Sequence, residues 1–552
     1  MVNISALRAF FYMDNCRRLV LFCCLSGLLM ACGGRRNDAG FFRYNESSGV
    51  ATLDPAFAKS QSVMWTAHQL FNTLVEVNDK LEIAPSLATR WEISNEGKTY
   101  RFFLRDDVYF HDDACFPGGK GRKMLAADIA YSLRRIMDPS TASSGAWIFN
   151  GKLSLDSGFV AVNDSVFELR LYRAFPPILG ILSMQYCSII PQEAVVMYQQ
   201  QFRAHPVGTG PFRFLAWEEG QTLLLPRNEH YFEKDSAGRS LPYVKGVKVS
   251  FNDSKAAEFL LFRQQQIDFI NDIDASFKDE VLQKNGELRE EWVAKLQLKK
   301  HAYLNTEYIG ILSDSSNPLV ESSPLRIRAV RQAMNYAFDR RKMMLYLRNS
   351  IGKPAESGFI PDGLPSFDEN AVRGYRYMPD SARILLQQAG FGEGKGLPVF
   401  VLLTIPQYAE LGSYIAHELN ENGFNVKVDV LQKSFLLEQT AQSKALFFRG
   451  SWIADYPDAE NYLGVFYSKN PAPPNYTRYN NPAYDRLYEQ ALLETRDSQR
   501  YALYQEMDRL LVRDAPIIPL WYDEACWLVQ NQVEGFAPNS LNLLELRRVR
   551  LP

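Results

Sequence analysis

The chain of 552 residues lacks most of the patterns that would mark an enzyme. It has no H-E-x-x-H helix for zinc and no G-x-S-x-G turn for a serine nucleophile. Its six histidines, His68, His111, His205, His230, His301 and His417, nowhere stand at ligand spacing, so no metal site is expected. Gly392-Glu393-Gly394-Lys395-Gly396 lacks the spacing and the hydroxyl residue of a P-loop and reads as a plain loop. Gly118 to Lys123 reads as a solvated basic loop. Charge of one sign is missing too. The 61 basic and 63 acidic side chains leave a net charge of -2, which excludes a global basic surface for nucleic acid. Cysteine is scarce, at seven, and too widely spaced for a disulfide scaffold. No apolar run reaches the ~20 residues of a membrane-spanning helix. No internal repeat is present.

What is there suits a folded protein of several domains. Hydrophobic residues make up 46% and charged residues 22%, and at ~150 residues per domain the length allows two to four domains. Aromatics reach 13%, which fits large recognition surfaces or large cores. Arg8, Arg17 and Arg18 precede a short apolar run, Leu19 to Ala31, and residues 1–31 read as a secretory signal peptide. Its end, Leu29-Met30-Ala31-Cys32-Gly33, resembles the lipobox of bacterial lipoproteins, in which the cysteine is acylated after cleavage. Cys32 is therefore the expected lipidation site, with residues 32–40 a polar tether. Two or three acyl chains anchor firmly where one does not. Cys115, Cys187 and Cys526 then remain and permit at most one disulfide.

The body mixes strands and helices. Tyr100 to Arg105 and Phe167 to Leu171 alternate as strands do. Ser322-Ser323-Pro324 starts a helix, and Ile327, Val330, Met334 and Phe338 fall on one face of it, with its arginines on the solvated face. Leu397 to Ile405, Leu411 to Leu419 and Asn425 to Leu431 read as strand, helix, strand, a right-handed βαβ unit. Leu503, Met507, Leu510 and Leu511 line a further helix. Weak breaks lie near residues 206–211, 296–305 and 515–519. The class is mixed α/β with more than one sheet.

Several segments in order resemble the extracytoplasmic solute-binding proteins of peptide-type ABC importers, the dipeptide- and oligopeptide-binding family 5. They are Leu53-Asp54-Pro55, Leu70-Phe71-Asn72-Thr73-Leu74-Val75, Leu87 to Glu92, Tyr100 to Arg105, Val108 to Asp112, Leu125 to Ile129, His205 to Phe212, Pro226 to Phe232, Arg328 to Arg340 and Trp452 to Asp458. Together they span nearly the whole chain after the signal. Residues 113–124 depart from the family as a longer loop.

The resemblance implies a two-lobed periplasmic-binding-protein fold of the large, three-subdomain type, with a hinge and an interlobe ligand cleft. Lobe I would comprise residues 41–300, including a strand-helix insert of about 62–205. Lobe II would be 301–520, with 521–552 returning to lobe I. The implied function is capture of short peptides in the cleft and delivery to membrane permease subunits served by a separate ATPase. No catalysis and no cofactor are expected. The protein would be an exported, membrane-anchored monomer facing the periplasm, or the exterior of a one-membrane cell. Alternatives within the fold are a nickel chelate, haem, a sugar or an opine as ligand, or a surface peptide receptor without transport.

Trp452 to Asp458 makes a poor core strand, because Asp and Pro interrupt pairing. It reads as a cleft wall, or as a strand-end turn with Asp455 or Asp458 capping a helix. In the resembling proteins the acid at Asp455 pairs with the ligand's α-ammonium and Trp452 lines the pocket, with Tyr456 beside them. Ser60-Gln61-Ser62 resembles the segment whose backbone meets the peptide as an added strand, which puts Gln61 and Ser62 in the site. Trp147 and Phe149 match a region that supplies an aromatic. For these opposite-wall residues a core or loop role is equally open. Val207-Gly208-Thr209-Gly210-Pro211 reads as a structural turn near the hinge.

Overall fold

The computed structural model describes residues 40–552; the signal segment and Cys32 lie outside the described residues. A short unit ends at Phe41 and a second runs from Phe42 to Pro552; the second is described here.

Two strands organise it. Leu296–Ile311 and Ile517–Gln530 run antiparallel at the centre of an eleven-stranded sheet. On one side follow Phe447–Ile453, Phe400–Thr404 and Val426–Val430; on the other follow Phe269–Asn271, Phe41–Asn45, Gly246–Ser250, Thr222–Pro226 and Ala216–Glu218. Lys353–Pro354 pairs with Tyr522 and Trp521 off this path. A separate four-stranded antiparallel sheet holds Ala88–Ser94, Thr99–Leu104, Val166–Arg170 and Phe159–Asn163.

Each central strand starts in one core and ends in another. Leu296 packs with Phe259, Phe262 and Leu528, whereas Ile309 and Ile311 pack with Val330, Met334 and Leu402. In the partner strand Ile518 and Trp521 belong to that second group, while Trp527 and Val529 join Phe42, Trp65 and Phe269. A third cluster gathers Leu304, Tyr462, Tyr484 and Tyr504. The two breaks expected near 296–305 and 515–519 therefore fall inside or at the start of continuous strands rather than in linkers.

The ladder between these strands is interrupted twice, and the wider break lies near its middle. Ala302 pairs with Glu524 and the next pair is Thr306 with Tyr522. Tyr303, Leu304 and Asn305 thus stand opposite Asp523 alone. Such a bulge bends the strand and adds local twist.

The expected βαβ unit is present. Phe400–Thr404 and Val426–Val430 pair in parallel, and the helix Ala409–Glu421 between them buries Ile415, Ala416 and Leu419. Gly423, at φ +89°, turns the chain after it. The helix expected after Pro324 is split: Pro324–Arg326 forms a capped 3-10 turn and Arg328–Tyr336 the α-helix. One of its arginines is not on the solvated face. Arg331 donates to the carbonyl of Asp514 at 2.6 Å and so satisfies the C-terminus of the helix Asp497–Asp514; this is a correction with a plain cause, since the last carbonyls of a helix lack partners. The turn at residues 207–211 sits on the last turn of the helix Gln61–Leu70. A Cβ on Gly208 would lie 2.1 Å from the Leu70 carbonyl oxygen, so close approach dictates glycine there. Cys115, Cys187 and Cys526 are free thiols. Among the described residues no helix is long and apolar enough to cross a membrane.

Candidate functional site

The strand Phe447–Ile453 reaches the bulge from one side. Asn305 pairs with Ile453 and Thr306 with Trp452, and the Ala454 amide donates to the Leu304 carbonyl at 2.9 Å. The chain then turns, because Asp455 and Pro457 cannot extend a ladder. Asn461 holds this turn. Its Oδ1 accepts from Trp452 Nε1 at 3.0 Å and from the Asp455 amide at 3.2 Å, while its Nδ2 donates to Asp455 Oδ2 at 3.1 Å. Asp458 takes the capping role: its Oδ1 accepts from the Glu460 amide at 2.9 Å and from the Tyr504 hydroxyl at 2.7 Å.

Asp455 combines two properties that rarely coincide. Its side chain is open to solvent, yet surrounding protein raises its carboxyl pKa above the usual aspartate value, the Asn461 hydrogen bond acting the other way. Accessibility and surroundings point in different directions, and a concave wall reconciles them: water reaches the group, but protein displaces much of its hydration. Among the described residues no Lys, Arg or His forms an ion pair with Asp455, and its Oδ1 takes no protein hydrogen bond.

The other sequence-derived residues divide. Trp452 is half-buried beside Asp455, packed on the third core cluster. Tyr456 points away. It is 5% exposed and belongs to the first core cluster, its ring lies against Gly180, and its hydroxyl donates to the buried Glu460 carboxylate. The apolar ring gains more from that core than from an open wall. Trp147 is 41% exposed on the turn Ala146–Ile148. That turn packs on Tyr186, whose ring would collide with any Cβ on Gly145 and whose hydroxyl lies 3.3 Å from Ser144 Oγ. Burial, and in smaller part the Asp455 charge, raises the Tyr186 hydroxyl pKa. Phe149, by contrast, is fully buried, edge-on to Phe159 at 5.2 Å.

Ser60-Gln61-Ser62 is not a strand. Ser60 is extended at φ -108°, ψ 151°, but Gln61 begins the helix Gln61–Leu70. Ser62 is 6% exposed; its carbonyl accepts from Thr66 Oγ1 at 2.8 Å, so it is helix interior rather than added-strand edge. The opening of the helix is still useful, because its first amides have no intrahelical acceptor. Gln61 is half-buried, its Oε1 accepting from Asn271 Nδ2 at 3.1 Å. Next along is Asp272, whose carboxyl is raised by burial and by the charge of Asp523 in the bulge, with Arg348 opposing. Gln61 and Asp455 therefore both belong to surfaces that reach the same break in the ladder.

Sequence reading missed the polar chain that fills this break. Arg449 pairs with Glu307 at 2.5 Å and stacks 3.8 Å from the Tyr408 ring centre. Asn305 Nδ2 bridges Glu307 Oε1 at 3.2 Å and Asp523 Oδ2 at 3.1 Å, and Arg348 completes the run with Asp523 at 2.9 Å. Burial raises the Glu307 carboxyl, Arg449 lowering it in part. The available signal was a charged residue inside an otherwise apolar strand, Glu307 and Arg449 alike. Asn461 and Tyr186 carried no such signal.

Another cavity lies apart. It measures about 880 Å³ and is walled by residues 107–121 and 213–231, including part of the 113–124 loop; it shares no lining residue with the Asp455 surroundings. Among the described residues no cluster of three His, Cys, Asp or Glu could hold a metal ion.

Comparison with known proteins places this geometry. Residues 82–474 match the model of the bacterial extracellular solute-binding proteins, family 5 Middle. The chain is 23% identical over 526 residues to the dipeptide-binding protein DppE of Bacillus subtilis, covering 91% of this chain and 90% of that protein. It is 26% identical over 516 residues to the periplasmic murein peptide-binding protein MppA of Escherichia coli, covering 89% of each. In three dimensions it superposes on the unliganded open form of the murein tripeptide-binding protein MppA with a TM-score of 0.78 at 22% identity, over 93% of this chain and 97% of that one. That likeness shows the fold: a periplasmic-binding-protein architecture of the family 5 type.

Proposed function

The chain belongs to the bacterial extracellular solute-binding proteins of family 5, and from that premise we propose that it captures short peptides and delivers them to the permease of an ABC importer. The observation that carries this reading is Asp455. It is a carboxylate fixed in place by a neutral amide, open on one oxygen and without a cation among the described residues. The α-ammonium of a peptide is the counter-charge it lacks, and a closed cleft would make that pair a buried one. The two relatives described above are named for a dipeptide and a murein peptide, which supports the same ligand class.

The remaining parts follow from the two central strands. Residues 41–300 with 521–552 act as lobe I and residues 301–520 as lobe II. Bending at the Ala302–Thr306 break closes them. Ligand favours the closed form because only there does it touch both the Asp455–Trp452 wall and the Gln61–Trp147 wall. The closed protein then docks on the permease, and a separate ATPase supplies the energy. The chain itself catalyses no reaction. It works as a monomer outside the cytoplasm, tethered through acylated Cys32.

The test is direct. The chain from Gly33 to Pro552 is purified without denaturation and then unfolded, and the released material is identified by mass spectrometry. A mixture of short peptides is expected. A single non-peptide solute or a metal chelate would keep the fold but overturn the α-ammonium role of Asp455.

A further inference from the structure

A small hairpin, Val75–Val77 with Ile83–Pro85, pairs only with itself. A two-stranded hairpin is marginal in water unless it packs on something larger, and this one packs at both ends. Its root belongs to the first core cluster, where Leu74 and Val75 are buried with Phe42 and Trp65. Its tip belongs to the third. Leu81 is 5% exposed and clusters there with Leu304, Tyr462, Tyr484 and Tyr504, and Val77 packs against the same group. Among the described residues every other buried member of that cluster falls between 304 and 517, within the proposed lobe II.

The exchange runs the other way at Tyr456. Among the described residues it is the one buried member of the first cluster that comes from 301–520, and it stands with Pro457 against Gly180. Each lobe's core therefore holds a single buried side chain from the other. Both crossing points adjoin the candidate site. Tyr456 follows Asp455, and the bulge residue Leu304 shares the Leu81 cluster.

The tip of the hairpin is held tightly. Asn78 Oδ1 accepts from the amides of Lys80 at 2.9 Å and Glu82 at 3.0 Å, and the Leu81 amide donates to the Asn78 carbonyl at 2.9 Å. This turn keeps Leu81 at φ +60°, a region that suits glycine and is rare for a bulky side chain. Such strain persists where surrounding contacts over-determine it, and it collects at clamps and switches. A leucine at this turn is explained by what its side chain reaches.

We propose that the hairpin is a clasp across the cleft: Leu81 seats in lobe II when the lobes close, and it withdraws, together with Tyr456 from lobe I, when they open. The inference rests on the two lobes of the proposed function and not on their ligand. The clasp gives closure an apolar contact that no ligand supplies, so the empty protein spends part of its time shut.

The experiment is small-angle X-ray scattering on the ligand-stripped chain from Gly33 to Pro552, wild type beside Leu81→Gly and Leu81→Met. A compact chain of this length has a radius of gyration of about 24 Å. Leu81→Gly should raise the radius above that of wild type by moving the open-to-closed ratio roughly ten-fold or more, the scale of one leucine side chain lost from a core. Glycine takes φ +60° without strain, so its far-ultraviolet circular dichroism should match wild type. Leu81→Met keeps an apolar tip and should keep the wild-type radius. An unchanged radius in Leu81→Gly overturns the clasp and makes Leu81 an ordinary core residue, even where urea stability falls. A rise that comes with lost secondary structure, or that Leu81→Met shares in full, overturns it as well. No ligand is added, so each of these outcomes strikes the clasp and leaves the peptide reading to its own test, the material released on unfolding.

Discussion

Glu307, on a central strand, and Asp455, in the turn after the neighbouring strand, are acids near the same break in the central ladder, and the protein treats them in opposite ways. Glu307 is 1% exposed and is matched by Arg449, with Asn305 and Tyr408 completing its hydrogen bonds. Asp455 is exposed and meets one neutral side-chain amide, that of Asn461. A buried acid with its own guanidinium is a structural element, since removing either partner strands a charge. An acid positioned by an amide keeps its charge for something else. The difference separates a group that holds the fold from one that, in the proposed function, waits for a ligand.

The strongest way to break this comparison is Glu307→Ala. It leaves Arg449 buried without its carboxylate and should cost roughly 3–5 kcal/mol of stability, measured by urea unfolding; a cost under ~1 kcal/mol would put Glu307 in the same class as Asp455. A third acid sharpens the contrast. Asp508 is sealed in the core and forms no ion pair among the described residues, accepting from the amides of Phe359 at 2.6 Å and Ile360 at 3.3 Å; burial raises its pKa to about 7 despite those bonds and the charge of Arg509. Its folded-state pKa exceeds the unfolded one, so the unfolded state binds fewer protons between about pH 4 and 7. Stability should fall as pH rises through that window, by on the order of 4 kcal/mol in total. Asp508→Asn should flatten this component of the pH profile, as followed by denaturant unfolding at pH 5 and pH 8.

Asp455 should behave the other way round. Asp455→Ala is expected to leave urea stability within ~1 kcal/mol but to weaken peptide binding ~100-fold or more; unchanged affinity by calorimetry would remove it from the site. In the wild type, burial holds the Asp455 proton to a higher pH than an ordinary aspartate. Binding of an ammonium should therefore weaken on acidification earlier than that of an exposed aspartate would, and Asp455→Asn should abolish the pH dependence. The smallest effect is expected at Asn461. It touches no ligand in this scheme and acts by positioning, so Asn461→Ala should cost roughly ten-fold in affinity, whereas Asn461→Asp should disturb the pH profile as well by placing a second acid beside the first.

Much of the scaffold could be read from residue order. The apolar run from Leu397 to Ile405 and the alternation from Asn425 to Leu431, with a helix between them, specified the parallel pair that packs on the second core. The end of the cleft strand was also legible, since Asp and Pro in Ala454-Asp455-Tyr456-Pro457 cannot continue a ladder. Which way each side chain then turns was not. Tyr456 and Trp452 are both aromatic, and only the position of Gly180, far away in sequence, decides that Tyr456 is core. Ser60 to Ser62 carries no periodicity, so nothing local distinguished a strand edge from a helix start. The Glu307–Arg449 pair spans 142 positions and belongs to tertiary structure alone.

The three-against-one break between Ala302 and Thr306 leaves slack on one strand only. Two surplus residues at ~3.3 Å of rise each amount to roughly 6–7 Å of spare chain, all of it in Tyr303, Leu304 and Asn305. The opposite strand passes through Asp523 alone there and carries its own surplus residue, Leu520, between the Glu307–Trp521 and Tyr308–Pro519 pairs. In the proposed closure, a sheet bent at this point would turn about Asp523 while the longer strand takes up its excess.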